Sequence, residues 1–218
     1  EAGDRDTVFT REGNLAHAVA ELKARKHFIG MGPQKYGAAL RKLKADELWQ
    51  DEMDGHTDAY LDARKDIAAT FADMPYVALE QRVDFSGYVP EGFGTADCIM
   101  IGGEVLHIVD FKYGKGVEVE AEGNPQMMLY ALGALEIFDG IYDIDTVRMT
   151  IYQPRLNNYS TWEITPEEYF EIVPWVMYNM EQPLADASAI AFALGCRATA
   201  EHTKICYSGE GSDEFFGG

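Results

Sequence analysis

Two apolar runs joined by a pair of glycines, "ADCIMIGGEVLHIVDFKYGKG" (residues 96–116), constrain this chain more than any other stretch. Residues 96–102 and 104–112 each read as a strand, with "IGG" (101–103) as the hairpin turn between them. Side chains alternate across a strand, so Asp110 and Lys112 share one side while Val109 and Phe111 take the other. Charges in a buried strand are costly unless they pair or bind something. Asp110 and Lys112 are therefore either a structural ion bridge or half of a catalytic site. Asp97, at the start of the partner strand, approaches the same face across a tight hairpin. Two converging carboxylates repel each other, and a divalent cation is the common remedy. Hard oxygen ligands suit Mg²⁺ or Mn²⁺ rather than Zn²⁺. Lys112 would then stand beside the attacking water.

The remaining pattern predicts helices over 9–26, 34–45 and 46–73, the last ending before Pro75. A strand follows at 76–85, then the hairpin, a helix at 125–138, and strands at 146–153 and 159–164. Thr165 reads as an N-cap and Pro166 as the first position of a helical region over 166–194. The fold class is α/β, with an N-terminal helical cap. One domain over 1–218 is expected: helical residues 1–75, a catalytic sheet and helix at 76–165, and a C-terminal helical part at 166–218.

Two helices add polar candidates. In "NPQMMLYALG" Gln126 and Tyr130 lie four apart and share a helix face within an apolar segment. They are either an ordinary N-terminal residue and a core aromatic, or groups reaching a phosphate or base. Gly13, His17 and Glu21 form a four-residue stripe, in which an imidazole and a carboxylate are either a surface pair or a metal ligand with its partner.

Charge is unevenly spread. The net charge is −19, yet residues 22–45 hold Lys23, Arg25, Lys26, Lys35, Arg41, Lys42 and Lys44 with no acidic residue. Such a segment is either two solvated helix faces or a surface for phosphates. Cys98, Cys196 and Cys206 are odd in number and lack a CxxC, which excludes a disulfide framework and points to a reducing compartment. No apolar run approaches the roughly 20 residues that span a bilayer, and no signal-peptide pattern is seen. No membrane association is expected.

Together, G-xxx-H in the first helix, Glu80, "GTAD" (94–97), "VDFKYGKG" (109–116) and "NPQMMLYALG" (124–133) resemble the PD-(D/E)xK nuclease superfamily. The likeness is to its RecB-type branch, in phage- and prophage-encoded exonuclease-like members, and covers residues 10–155. The resemblance implies a restriction-endonuclease-like mixed central sheet flanked by helices. It also implies Mg²⁺- or Mn²⁺-dependent hydrolysis of linear double-stranded DNA to 5′-phosphate products, in recombination or repair. His17, Asp97, Asp110 and the carbonyl of Phe111 would bind metal, Lys112 would position water, and Gln126 and Tyr130 would flank the site. Glu80 and Glu21 are weaker assignments. Many of these nucleases carry Glu where Asp110 stands. Others carry four cysteines for an iron–sulfur cluster; with three here, no cluster is expected. The implied partners are duplex DNA ends, gripped by the basic 22–45 segment, and a phage single-strand annealing protein. The implied setting is the bacterial host cytoplasm, and relatives that form rings leave room for a homo-oligomer. The alternative is a non-catalytic nucleic-acid-binding or acidic interaction protein that keeps the nuclease fold.

Overall fold

In a computed structural model that describes residues 8–87, 92–138 and 140–166, the chain begins with helices α1 (Val8–Ala24), α2 (Pro33–Lys44) and α3 (Asp51–Ala69). Strands β1 (Tyr76–Asp84), β2 (Phe93–Gly102) and β3 (Val105–Phe111) follow. Helix α4 (Pro125–Phe138) then leads to β4 (Thr146–Gln153) and β5 (Asn158–Ile164). Most of the helix expected over 166–194 lies outside the described residues, as do Cys196 and Cys206.

The sheet runs in sequence order, β1-β2-β3-β4-β5. All neighbours are antiparallel except β3 and β4, which are parallel and joined through α4. The mixed sheet flanked by helices that the sequence predicts is thus what the chain forms. Ile99, Ile101, Leu106, Ile108, Met149 and Ile151 pack in the layer of α4. On the opposite face Cys98, Met100, Val109 and Phe111 meet α1 and α3 through Leu15, Val19, Met53 and Tyr60. Helices on both faces explain why β3 is buried almost throughout. Among the described residues no helix is long and apolar enough to cross a membrane.

Local chemistry sets the boundaries. The hairpin turn falls one residue later than predicted: Gly102 pairs with Val105, and Gly103 takes φ +58°, a conformation that side chains resist. The helix predicted over 46–73 begins only at Asp51, because Asp46 Oδ1 accepts the Leu48 N–H at 2.9 Å and turns the chain first. Helix α4 is started by Asn124, whose Oδ1 accepts the Met127 N–H at 3.1 Å, with Pro125 at the first helical position. Gly133 lets this helix lie against β1, since a Cβ there would sit 2.9 Å from Val83 Cβ and 3.0 Å from the Asp84 carbonyl.

His107, on β3, is buried; its Nε2 shares a 2.8 Å hydrogen bond with Thr150 Oγ1, and its Nδ1 has no partner. Burial, helped by Arg148, pushes its pKa down to about 4. The unfolded chain therefore takes up a proton here between about pH 6.5 and 4 that the folded chain refuses. The stability this position contributes is fully present above the unfolded pKa and is lost as pH falls through that window, by about 3 kcal/mol. Urea unfolding at pH 7 and pH 4.5 should show a smaller acid loss in His107→Gln than in wild type; an identical loss would contradict this.

Candidate active site

Three carboxylates line up across three strands. Asp97 on β2 stands opposite Asp110 on β3, one step beyond the Cys98–Val109 pair. On its other side, the ladder pairs Leu79 with Cys98 and Gln81 with Ala96, leaving Glu80 opposite Asp97 and unpaired between them. Glu80 adopts φ +50°, a left-handed conformation rare for a residue with a side chain. The strand alternation slips at the same place: Ala78 and Val83 both face the α4 layer, as do Ala96 and Ile99. Strain of this kind persists only where surrounding structure holds it, and it gathers at functional sites.

Side chains from both helical layers reach this row. From α1, His17 Nδ1 lies 3.1 Å from Asp97 Oδ1, and the Phe111 N–H donates to Asp97 Oδ2 at 2.7 Å. Donor atoms of His17, Glu80 and Asp97 all lie within 4.8 Å of one another. On the α4 side, Lys112 Nζ lies 3.0 Å from Asp110 Oδ2 and donates to Gln126 Oε1 at 2.6 Å. Gln126 Nε2 donates in turn to the Tyr130 hydroxyl at 2.8 Å. Gly94, the glycine of "GTAD", makes room for that ring: a Cβ there would come 2.4 Å from Tyr130 Cε1.

The electrostatics mark the row as a place where negative charge is crowded. Burial raises the Asp110 pKa, and the charge of Asp97 adds to the rise against the opposing pull of Lys112. Burial, then Asp97 and Glu21, pushes Glu80 up to about 7. Burial works against the cationic form of His17, but the hydrogen bond and charge of Asp97, with Asp110 and Glu80 behind it, prevail and raise its pKa. Asp110 is only 4 % exposed, and its Oδ2 is held by the Lys112 ammonium at 3.0 Å. The clustered oxygen and imidazole donors of Glu80, Asp97 and His17, with the buried Asp110 carboxylate on the neighbouring strand, fit a hard divalent cation such as Mg²⁺ or Mn²⁺. Cys98 is not part of that donor set, since burial pushes its thiol up to about 12 and keeps it protonated.

The site has a floor that the sequence reading missed. Tyr60 on α3 stacks on Phe111, with centroids 4.5 Å apart, and donates its hydroxyl to the Val109 carbonyl at 3.2 Å. Arg64 lies 3.9 Å over the Tyr60 ring, buried, with Nη2 donating to the Ala20 carbonyl and Nε unbonded. His17 meets the edge of Phe111 at 5.3 Å, so the column runs from Arg64 to the imidazole. The buried stripe Met53, Thr57, Tyr60, Arg64, Ile67 carries a visible signal: an arginine at a core position of an amphipathic helix.

Some assignments need correcting. Glu21 does not hold His17; its Oε1 accepts from Arg25 Nε at 2.6 Å, although its charge reaches Glu80. The Phe111 amide donates to Asp97, a contact separate from the metal role that the resemblance gives the Phe111 carbonyl. Lys23 is not available to DNA: it is 3 % exposed and donates to Asp54 Oδ1, the Asp54 carbonyl and Asp58 Oδ1 on α3. Arg25 is paired with Glu21, and Lys44 with Asp54 Oδ2. Lys26, Lys35, Arg41 and Lys42 remain exposed on the segment.

Fold and site together define a mixed α/β protein with a carboxylate–lysine–histidine centre where its central hairpin splays. The chain belongs to the family described as Protein of unknown function (DUF2800), which matches residues 1–206. It is also 31% identical over 102 residues to asparagine synthetase [glutamine-hydrolyzing] 1 of Bacillus subtilis, a match covering 47% of this chain and 16% of that protein. A putative asparagine synthetase of Mycobacterium bovis is 31% identical over 55 residues, 25% of this chain and 8% of that protein. The chain therefore spans a sixth or less of the length of these relatives. A solved structure titled "Crystal structure of SSO0001" aligns over 93% of this chain and 80% of that one, at 11% identity. The TM-score of that alignment is 0.30.

Proposed function

We propose that this protein is a metal-dependent deoxyribonuclease of the PD-(D/E)xK type, with a restriction-endonuclease-like site, that hydrolyses linear double-stranded DNA. One observation carries the reading: donor atoms of His17, Glu80 and Asp97 cluster within 4.8 Å of one another, next to the buried Asp110–Lys112 pair. His17, Glu80, Asp97 and Asp110 would hold Mg²⁺ or Mn²⁺, whose chemistry is to draw charge from a phosphate and acidify water. The chain's own groups do the positioning. The Phe111 amide fixes Asp97, and the Tyr130–Gln126 pair aims the Lys112 ammonium. That ammonium orients water in line with the scissile phosphorus and offsets charge that develops on the phosphate. A P–O bond forms to water and the bond to the 3′ oxygen breaks, leaving a 5′-phosphate and a 3′-hydroxyl.

Exposed Lys26, Lys35, Arg41 and Lys42 grip the backbone, so sequence preference is weak. The biological setting that goes with this reading is phage recombination or repair in the cytoplasm. A second reading, a non-catalytic or acidic interaction protein, draws on the net charge of −19 and on the pairing of Lys23, Arg25 and Lys44. End-labelled linear and closed circular duplexes, incubated side by side with Mg²⁺ or Mn²⁺, separate the two. Metal-dependent loss of the linear substrate with the circle spared is the expected result; no cleavage of either favours the second reading.

A further inference from the structure

A cavity of ≈ 640 Å³ opens beside the site, walled by the first turns of α1, by Gln50 and Arg155, and by the loop Tyr113–Gly116 that follows Lys112. Phe9, Gly13 and His17 are four residues apart on α1, so one helix stripe runs from the cavity to the site. Phe9 is 82 % exposed, an uncovered aromatic face at the cavity rim. Gly13 weakens a helix interior, and nothing in the fold requires it: its φ is not positive and an added Cβ would meet no atom within 4 Å. Gly116 is equally unconstrained by neighbours. These glycines leave open space along the cavity wall.

The wall chemistry selects the occupant. Arg155, with only 6 % of its side chain exposed, is matched by Glu12 at 2.9 Å and Glu52 at 2.6 Å, and it lies 4.4 Å over the Tyr113 ring. Its charge is spent within the protein and it covers the buried Tyr113 ring, so the open wall is the Phe9 ring and the glycines, which suits a flat uncharged group. Lys115, 63 % exposed at the rim, pairs with Glu52 at 3.5 Å and is the cation of this wall that still reaches solvent. We propose that the cavity receives an unpaired base of the DNA strand, stacked on Phe9, whose adjoining phosphate lies toward Lys115 and the carboxylate row. This rests on the nuclease reading for the identity of the ligand, and it assigns that site a preference for single-stranded or frayed DNA.

The test compares binding, in EDTA so that nothing is cut, of a single-stranded oligonucleotide and an abasic oligomer of the same length. Wild-type protein should favour the intact strand by about five-fold or more, the range of one base–aromatic stack. Phe9→Ala and Gly13→Leu should each lose that preference. Gly13→Leu should not melt earlier than wild type, because leucine favours the helix and its Cβ meets open space. Equal binding of both oligomers by wild type, or an undiminished preference in both variants, overturns the proposal. Its failure is separable from that of the nuclease reading: metal-dependent cleavage with no base preference sinks only the cavity assignment. A base preference that both variants lose, without cleavage, upholds the cavity assignment and sinks the nuclease.

Discussion

Lys112→Ala is expected to lower turnover on linear duplex DNA by at least about a hundredfold, and to lower the melting midpoint by leaving the buried Asp110 without its ion-pair partner. The Lys112 side chain is 30 % exposed, so its removal opens no deep cavity, but its ammonium is the group that Asp110, Gln126 and Tyr130 together aim. Asp110→Asn should be equally inactive and should also be more stable than wild type. The sign follows from burial: the folded pKa of Asp110 is raised, so at neutral pH its ionised form is held less favourably in the fold than in the unfolded chain. Removing that charge relieves the fold while removing the activity, a trade found where sites are strained for function. Chemical unfolding and cleavage rates measured on the same samples check both halves. A fully active Lys112→Ala would refute the role assigned to it.

Tyr60→Ala is expected to cost about 3–5 kcal/mol, the largest stability loss of any single change considered. The ring is 1 % exposed, stacks on Phe111 and Tyr152, carries Arg64 on its face and bonds the Val109 carbonyl. Truncation leaves a cavity, strips the buried guanidinium of its cation–π partner and loosens the floor under Phe111 and His17. Denaturant titration reads the loss directly. A cost under about 1 kcal/mol would mean that the column does not brace the site.

The hairpin and its charges were legible because period-two alternation and a glycine turn are local properties. Asp110 and Lys112 share a side, and Asp97 stands opposite Asp110, for reasons written within sixteen residues. The pairing of Gln126 with Tyr130 was legible from helical spacing alone. Glu80 was underrated because its left-handed backbone and the slip in alternation depend on both strands at once. The basic run misled for a related reason. Counting lysines in 22–45 cannot show that Asp54 and Asp58, on another helix, close over Lys23. The Arg64–Tyr60–Phe111 column likewise joins α3 to β3, elements far apart in sequence.

Calorimetric titration of Mn²⁺ into wild-type, Asp97→Asn and Asp110→Asn protein tests the central claim most directly. The account predicts saturable binding by the wild type, weakened at least about tenfold by each substitution as a ligand is lost. Binding that neither substitution weakens, or no binding by the wild type, would contradict it.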